Sequence, residues 1–156
     1  MKFLLLAVGL VSLALAEEFV TIGYKNCKSN FDLKDVAVSG CSLTTTSKGK
    51  KLCEFKKKST PRMKITFVAN QDASALETAV KAKVDETMMD FPLPNRNTCD
   101  FGLQCPLKAG KEYTYEQAIQ ILENYPVNEV FQVSWTIGNA EHGNDVCLLF
   151  LVRVVE

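Results

Sequence analysis

Six cysteines are the side chains of this 156-residue sequence with the clearest capacity for covalent chemistry. An even number of cysteines is typical of disulfides formed in an oxidising compartment, and six cysteines allow 15 pairings. Two pairs are close enough in sequence to close one loop each, and the other two cysteines are far apart. Proximity therefore favours the pairs Cys41 with Cys53, Cys99 with Cys105, and Cys27 with Cys147.

The same inventory of side chains gives little support to a metal site or a catalytic centre. The sequence has no Cys-x-x-Cys pair and a single histidine, so we expect no metal. His142 lies in the polar stretch NAEHGND, which is typical of a solvated loop. There is no Gly-x-Ser-x-Gly segment and no glycine-rich phosphate loop. We therefore expect a protein that is not an enzyme and that holds no cofactor.

Charge is balanced overall but concentrated locally. The 18 basic and 18 acidic residues cancel, which gives no support to nucleic-acid binding. Eight cations lie between residues 48 and 64, opposed there by Glu54. The segment is either the solvated face of a hairpin or a surface that makes transient contact with an anionic membrane. The second interpretation assigns that contact to Lys56, Lys57 and Lys58.

The first 16 residues have the pattern of a secretory signal peptide. Lys2 precedes an apolar run that ends in small residues, and the run is too short to predict a membrane span. We therefore expect a mature chain of residues 17–156 that forms one domain and is secreted to the extracellular space.

Alternation of apolar and polar residues dominates the mature chain. Met63, Ile65 and Phe67 alternate with polar side chains, and residues 131–137 repeat the pattern. Such alternation predicts half-buried antiparallel strands. Residues 146–155 are apolar at both parities, as expected for a central strand. Short strands between turn signals predict an all-β sandwich or barrel.

Residues 72–86 fit two structures. Ser74 to Glu77 matches a helix capping box, and Leu76, Val80 and Val84 recur every four residues. Apolar residues in the same segment also alternate, as in a strand. Local propensity favours a helix, whereas an all-β context favours a strand.

Large apolar residues also occur where turns are predicted. Phe91 and Leu93 alternate with Pro92 and Pro94, and Tyr125 lies in the segment ENYPVN. Apolar groups in loops at the end of a sandwich are typical of the mouth of a ligand pocket. They could equally plug the end of an ordinary core.

Five segments resemble the ML family, the MD-two-related lipid-recognition family. They are VSGC at 38–41, FPLP at 91–94, CDFGLQCPLKAGKEYTYE at 99–116, ENYP at 123–126 and VSWTI at 133–137. Within the family, the chain most resembles the Niemann-Pick type C-two sterol carriers and the group-two mite allergens. The resemblance covers nearly all of the mature chain.

The resemblance implies an immunoglobulin-like sandwich of two antiparallel sheets with an apolar cavity between them. It implies the same three disulfides that proximity favours, and it makes residues 74–84 a strand. It also implies a tunnel whose entrance is framed by Phe91, Ile121 and Tyr125. Leu93 is a further expected ligand-binding residue, because it is apolar and lies in the same proline-containing loop as Phe91. The expected tunnel walls are Met63, Val80, Val84, Met89, Ile119, Val133, Trp135, Leu148 and Phe150.

These observations lead us to expect a monomeric, non-enzymatic carrier of a hydrophobic ligand such as a sterol, a fatty acid or another long-chain lipid. An alternative within the same family is an innate-immunity module that presents a microbial lipid to a receptor. A third reading is a purely structural sandwich domain. The missing glycosylation sequon favours the extracellular space over the lysosomal lumen.

Overall fold

The computed structural model describes residues 17–156, and the predicted signal peptide, residues 1–16, lies outside the described residues. The described chain forms eleven strands and one short 3-10 helix, Thr98–Asp100. The strands are β1 Phe19–Thr21, β2 Lys25–Asn26, β3 Asp32–Ser39, β4 Ser42–Thr45, β5 Lys51–Lys56, β6 Arg62–Val68, β7 Glu77–Val84, β8 Thr87–Phe91, β9 Glu112–Ala118, β10 Val130–Asn139 and β11 Gly143–Val155.

The strands form two sheets that pack face to face, as the predicted all-β sandwich requires. The smaller sheet has the strand order β1-β3-β6-β9, and the larger has the order β4-β5-β11-β10-β7-β8, with β2 also paired to β11. All pairs are antiparallel except β5 with β11, where Val152 lies opposite Cys53 in a parallel register. The larger sheet is therefore mixed, although the sequence predicts antiparallel pairing throughout.

Strand β11 lies at the centre of the larger sheet. It pairs with β10 along most of its length and with β5 and β2 on its other edge. From Leu148 onward its even-numbered residues are buried, whereas Leu149 and Leu151 on the other face are only partly buried. Its apolar sequence at both parities therefore exceeds what its one covered face requires.

Strand β7 resolves the ambiguous segment in favour of β structure. It lies between β10 and β8, with Val80 opposite both Trp135 and Phe91. Thr78 and Val80 are buried on the inner face. Burial between two neighbours outweighs a helix propensity that differs by less than about 1 kcal/mol per residue.

One predicted boundary is wrong: Phe91, expected in a loop, is the last residue of β8. Strand β9 ends at Ala118. Residues beyond that end bond to the segment just before β6, because the amides of Ile119 and Ile121 donate to the carbonyls of Pro61 and Ser59.

Three disulfides fasten the sandwich. Cys27 is bonded to Cys147, Cys41 to Cys53, and Cys99 to Cys105. The first joins residues 120 apart in sequence, and the last joins residues six apart. In the chain-entropy model, a disulfide that closes a longer loop removes more entropy from the unfolded chain. The Cys27–Cys147 bond therefore has the larger stabilising effect.

One end of the sandwich is filled with closely packed side chains, and we term it the solid end. Aromatic residues dominate it: Phe31 stacks on Phe67 with ring centroids 5.4 Å apart, and Tyr115 meets Trp135 edge to face at 6.3 Å. Its other fully buried members include Ile65, Leu76, Ile137, Val146 and Leu148.

Candidate functional site

A cavity of about 420 Å³ lies at the opposite end, which we term the hollow end. A volume of this size falls within the usual range for small-molecule sites, about 300–1,000 Å³. Nearly all of the side chains around it are apolar. They are Phe55, Val80, Ala82, Val84, Met89, Asp90, Phe91, Pro92, Ile119, Ile121, Leu122, Tyr125, Pro126, Phe131, Val133, Phe150, Val152 and Val154.

The larger sheet supplies one wall of the cavity. Every second residue of a strand points to the same face of the sheet, so alternate residues form this wall. On β10, Phe131 and Val133 line the cavity, while Trp135, on the same face, belongs to the solid end. On β11, Val152 lines the cavity and Val146 is in the solid end. Each strand therefore uses one inner face for two purposes, and the position along the strand decides which.

The opposite wall comes from the connection between β9 and β10. The amides of Ile119 and Ile121 donate to Pro61 and Ser59 over 2.9 and 3.0 Å, and the amide of Lys58 donates to the carbonyl of Ile121 over 2.9 Å. These bonds fasten residues 119–121 to residues 58–61 beyond the end of β9. The side chains of Ile119 and Ile121 line the cavity.

Two aromatic rings meet at the mouth of the cavity. Phe91 at the end of β8 and Tyr125 in the β9–β10 connection lie edge to face, with ring centroids 5.8 Å apart. Burial raises the pKa of the Tyr125 phenol, so the group stays neutral. We term this pair the aromatic gate. Exposed apolar side chains, Met89 and Leu122, lie around it.

The loop that follows Phe91 is anchored from Asn95 onward. The Gln117 side chain donates to the carbonyl of Asn95 over 2.9 Å, and the Thr98 hydroxyl donates to the carbonyl of Leu76 over the same distance. The Cys99–Cys105 disulfide follows directly. The loop is therefore fixed to the core from Asn95 onward. Any movement of Phe91 involves only the end of β8 and the segment up to Pro94.

A buried hydroxyl network supports this anchor. The Tyr115 hydroxyl donates to Gln117 and accepts a hydrogen bond of 2.8 Å from the Thr78 hydroxyl. Burial raises the pKa of Tyr115, which keeps the phenol protonated and able to donate. The network joins β7 to β9, and Gln117 extends it to the loop after the gate.

The structure brings nine of the thirteen expected site residues to the cavity. These nine are Phe91, Ile121, Tyr125, Val80, Val84, Met89, Ile119, Val133 and Phe150. Met63, Trp135 and Leu148 do not line it, because they are buried within the core and away from its hollow end. Leu93 does not line it either and borders a neighbouring pocket.

Sequence reasoning missed other lining residues that share a strand face with the expected ones. Val152 and Val154 continue the parity of Phe150, and Phe131 precedes Val133 by two positions. The alternation pattern could have added all three. Phe55 on β5 had no such signal, because the parallel pairing that brings it beside β11 was not predicted.

Other chemistry-bearing groups lie away from the cavity lining. His142 Nδ1 is 3.5 Å from Oδ2 of the buried Asp145, and neither residue contributes to the cavity lining. Among residues 17–156, no group of three His, Cys, Asp or Glu side chains is arranged to hold a metal ion. In the same range, the structure contains no helix of the length and hydropathy that crossing a membrane requires.

The fold and the cavity together define a structural class: a disulfide-bonded, two-sheet β-sandwich with room for an apolar molecule inside one end. The model of one family, the ML domain, matches residues 21–154. The chain belongs to the ML domain family.

Individual proteins agree with this assignment. The protein heh-1 of Caenorhabditis elegans is 44% identical over 90% of this chain and 92% of its own length. The NPC intracellular cholesterol transporter 2 homolog a of Drosophila melanogaster is 33% identical over 90% of this chain and 88% of its own. The crystal structure of a Niemann-Pick type C2 protein from Japanese carpenter ant has the same fold. It superposes with a TM-score of 0.74 at 20% identity, covering 85% of this chain and 99% of that one.

Proposed function

We propose that the protein is a non-enzymatic carrier that holds one hydrophobic molecule, a sterol, a fatty acid or another long-chain lipid, in the cavity at the hollow end. The observation that carries the proposal is the apolar cavity of about 420 Å³ behind the aromatic gate. Membership of the ML domain family supports it, as does a relative named a cholesterol transporter homolog.

The physical basis of binding is burial of apolar surface. Each methylene removed from water contributes about 0.8 kcal/mol, so a long hydrocarbon needs no strong polar contact to be retained. Loading requires motion, because Phe91 and Tyr125 meet across the mouth. The carrier therefore works as a container that opens at the gate and closes over its ligand.

Filling the cavity with protein atoms tests the proposal. Val84→Trp and Ile121→Trp each place an indole in the space that the ligand would occupy, and we expect both to abolish uptake of a fluorescent sterol and a fluorescent fatty acid. Leu43→Trp is the matched control, since Leu43 is exposed on β4 and does not line the cavity.

Native mass spectrometry of the purified protein supplies the second measurement. A co-purified mass in the wild type that is missing from Val84→Trp would support the carrier function. A wild-type protein that is empty and takes up neither probe would contradict it.

We further propose that the protein is secreted. Three disulfides support folding in an oxidising compartment, since such bonds are rare in the cytosol. A chain with a tag at its carboxyl terminus, expressed in animal cells, is expected in the medium with its disulfides formed and residues 1–16 removed. Retention of the whole chain inside cells would contradict this.

Contact with anionic membranes is the third part of the proposal. Lys58 lies next to the cavity wall, because its amide is bonded to Ile121, which supports a role for Lys56, Lys57 and Lys58 at the membrane. Two of these cations have acidic partners: Lys57 Nζ is 3.1 Å from Glu156, and Lys58 Nζ is 2.8 Å from Glu123. Such exposed pairs are weak and do not prevent contact with lipid phosphates.

Liposomes containing anionic lipid test the membrane contact. Changing Lys56, Lys57 and Lys58 to Glu is expected to reduce binding strongly at low salt. The control changes Lys48, Lys50 and Lys51 to Glu, which alters the net charge equally at the other end of β5. Equal loss in both variants would assign the effect to net charge and overturn the proposal.

A further inference from the structure

A second pocket, of about 400 Å³, lies directly beside the mouth of the apolar cavity. The two spaces share a wall made of Val80, Asp90, Phe91 and Pro92. The second pocket differs in character, because side chains of both charges border it. Its remaining lining residues are Thr78, Ala79, Lys81, Leu93 and Arg96.

The pocket exists because the chain leaves the edge of β7 after the gate residue. Strand β8 pairs with β7 as far as Phe91 opposite Val80, and the next bridge to β7 is Glu77 with Asn97. Between them, Pro92 and Pro94 have no amide hydrogen to continue the ladder. The segment 92–95 therefore bows away from the sheet and leaves a gap beside the cavity.

Arg96 is held in position within this gap. Its Nε donates to the carbonyl of Thr78 over 2.9 Å, which fixes the guanidinium at the edge of β7. Its Nη2 is 3.9 Å from Glu77 Oε2, which is longer than a hydrogen bond. The guanidinium is thus oriented by one bond, with its outer nitrogens available for an incoming acceptor.

Lys81 adds a second cation to the pocket. Its Nζ is 3.6 Å from Asp90 Oδ1, again beyond hydrogen-bond distance, and both side chains are largely exposed. Loose, solvated pairs of this kind contribute little free energy. An anion that makes direct hydrogen bonds can therefore displace them.

We propose that this space is a headgroup pocket, which binds the anionic headgroup of an amphiphile whose apolar tail occupies the cavity. The inference rests on the proposed carrier function and specifies the class of ligand. Phe91 and Pro92 border both spaces, so a ligand that passes the Phe91 ring has its tail on one side and its headgroup on the other. Arg96 is suited to the headgroup, because a guanidinium binds carboxylate, sulfate or phosphate oxygens through paired hydrogen bonds.

Two probes of equal tail length test the proposal: hexadecanoate and hexadecanol, measured at pH 8 by displacement of a fluorescent lipid. The expected result for Arg96→Gln is a dissociation constant for hexadecanoate that rises about fivefold, with little change for hexadecanol. Lys81→Gln is expected to raise the dissociation constant for hexadecanoate by a smaller factor. Wild-type preference for the acid is expected to shrink as salt is raised.

Lys83→Gln is the matched control, because Lys83 lies on the same strand, pairs with Glu86 and does not border the headgroup pocket. If Arg96→Gln weakens the binding of hexadecanoate and hexadecanol equally, Arg96 only maintains the shape of the cavity rim. That result would overturn the headgroup pocket. Unchanged affinity for the acid in both Arg96→Gln and Lys81→Gln would also overturn it. A wild-type protein that binds neither probe would instead refute the carrier function itself.

Discussion

Phe91 and Tyr125 meet across the mouth of the cavity in a geometry that is specific but weak. An edge-to-face aromatic pair contributes about 0.5–1.5 kcal/mol beyond its buried area. A contact of this size presents a low energetic barrier to separation of the rings. In the proposed carrier, Phe91 and Tyr125 would separate to admit the ligand and then close over it.

Phe91→Ala is expected to speed release of a bound lipid by about tenfold, because the energy of the ring pair is removed from the barrier to opening. The measurement is the rate at which a fluorescent fatty acid transfers from the protein to excess cyclodextrin. Phe19→Ala is the control, since Phe19 lies on β1 and contacts Lys64. An unchanged rate in Phe91→Ala would show that the ligand leaves by another route.

Tyr115 links stability to alkaline pH. Because burial raises its pKa, the folded protein holds this proton more tightly than the unfolded chain does. The stabilisation is fully present below the ordinary tyrosine pKa, about 10, and is lost as pH rises above that value. The urea midpoint of the wild type is thus expected to fall between pH 9 and pH 11 more steeply than that of Tyr115→Phe. Parallel slopes would contradict the linkage.

Strand β7 shows what a local sequence signal can and cannot decide at the scale of an element. Residues 72–86 contain a helix capping pattern and a four-residue apolar repeat, and the strand forms nevertheless. The same residues also show the apolar and polar alternation that fits a strand. The choice depends on β8 and β10, which offer pairing on both edges, and no property of the segment alone contains that information.

The end of β8 is a second instance. Two prolines after Phe91 correctly predict that regular pairing stops, but they do not predict that the strand reaches Phe91 itself. Phe91 pairs with Val80 across the β7–β8 hairpin, and Val80 pairs in turn with the distant Trp135. The second pairing is long-range, so it becomes visible only once the sheet is assembled.

The Cys99–Cys105 disulfide is expected to control the mobility of the loop behind the gate. Replacing both cysteines with Ser removes the cross-link that closes this short loop, which reduces the free energy of unfolding by roughly 2 kcal/mol. Amide hydrogen exchange in residues 95–105 is expected to accelerate by more than exchange in β11. Uniform acceleration throughout the protein would indicate a global effect and contradict a local anchor.

At the scale of the whole molecule, the sandwich is divided into a solid end and a hollow end. The alternation of apolar residues correctly identified the inner faces of the strands and hence the fold. It could not locate the cavity along them, because Trp135 and Leu148 have the same parity as residues that line the cavity. The position of the cavity depends on the combined side-chain volumes of both sheets. The sequence of a single strand does not contain that information.

Val146 and Val152 give a matched test of this division, since they lie on the same face of β11 at opposite ends. Val146→Ala is expected to destabilise the empty protein by about 2–3 kcal/mol, because it opens a new void in close-packed surroundings. Val152→Ala enlarges a void that already exists, so a loss of about 1 kcal/mol is expected. Urea unfolding of the two variants without ligand measures the difference, and equal losses would contradict the division.

The hollow end also affects how this chain can change over generations. A side chain that borders empty space contributes less to folding than one with atoms on every side, so its replacement is tolerated more often. In the proposed carrier, substitutions at Val84, Val133 or Phe150 would therefore change ligand preference while the solid end keeps the chain folded. Ligand selectivity and folding stability would then depend on separate stretches of the same strands.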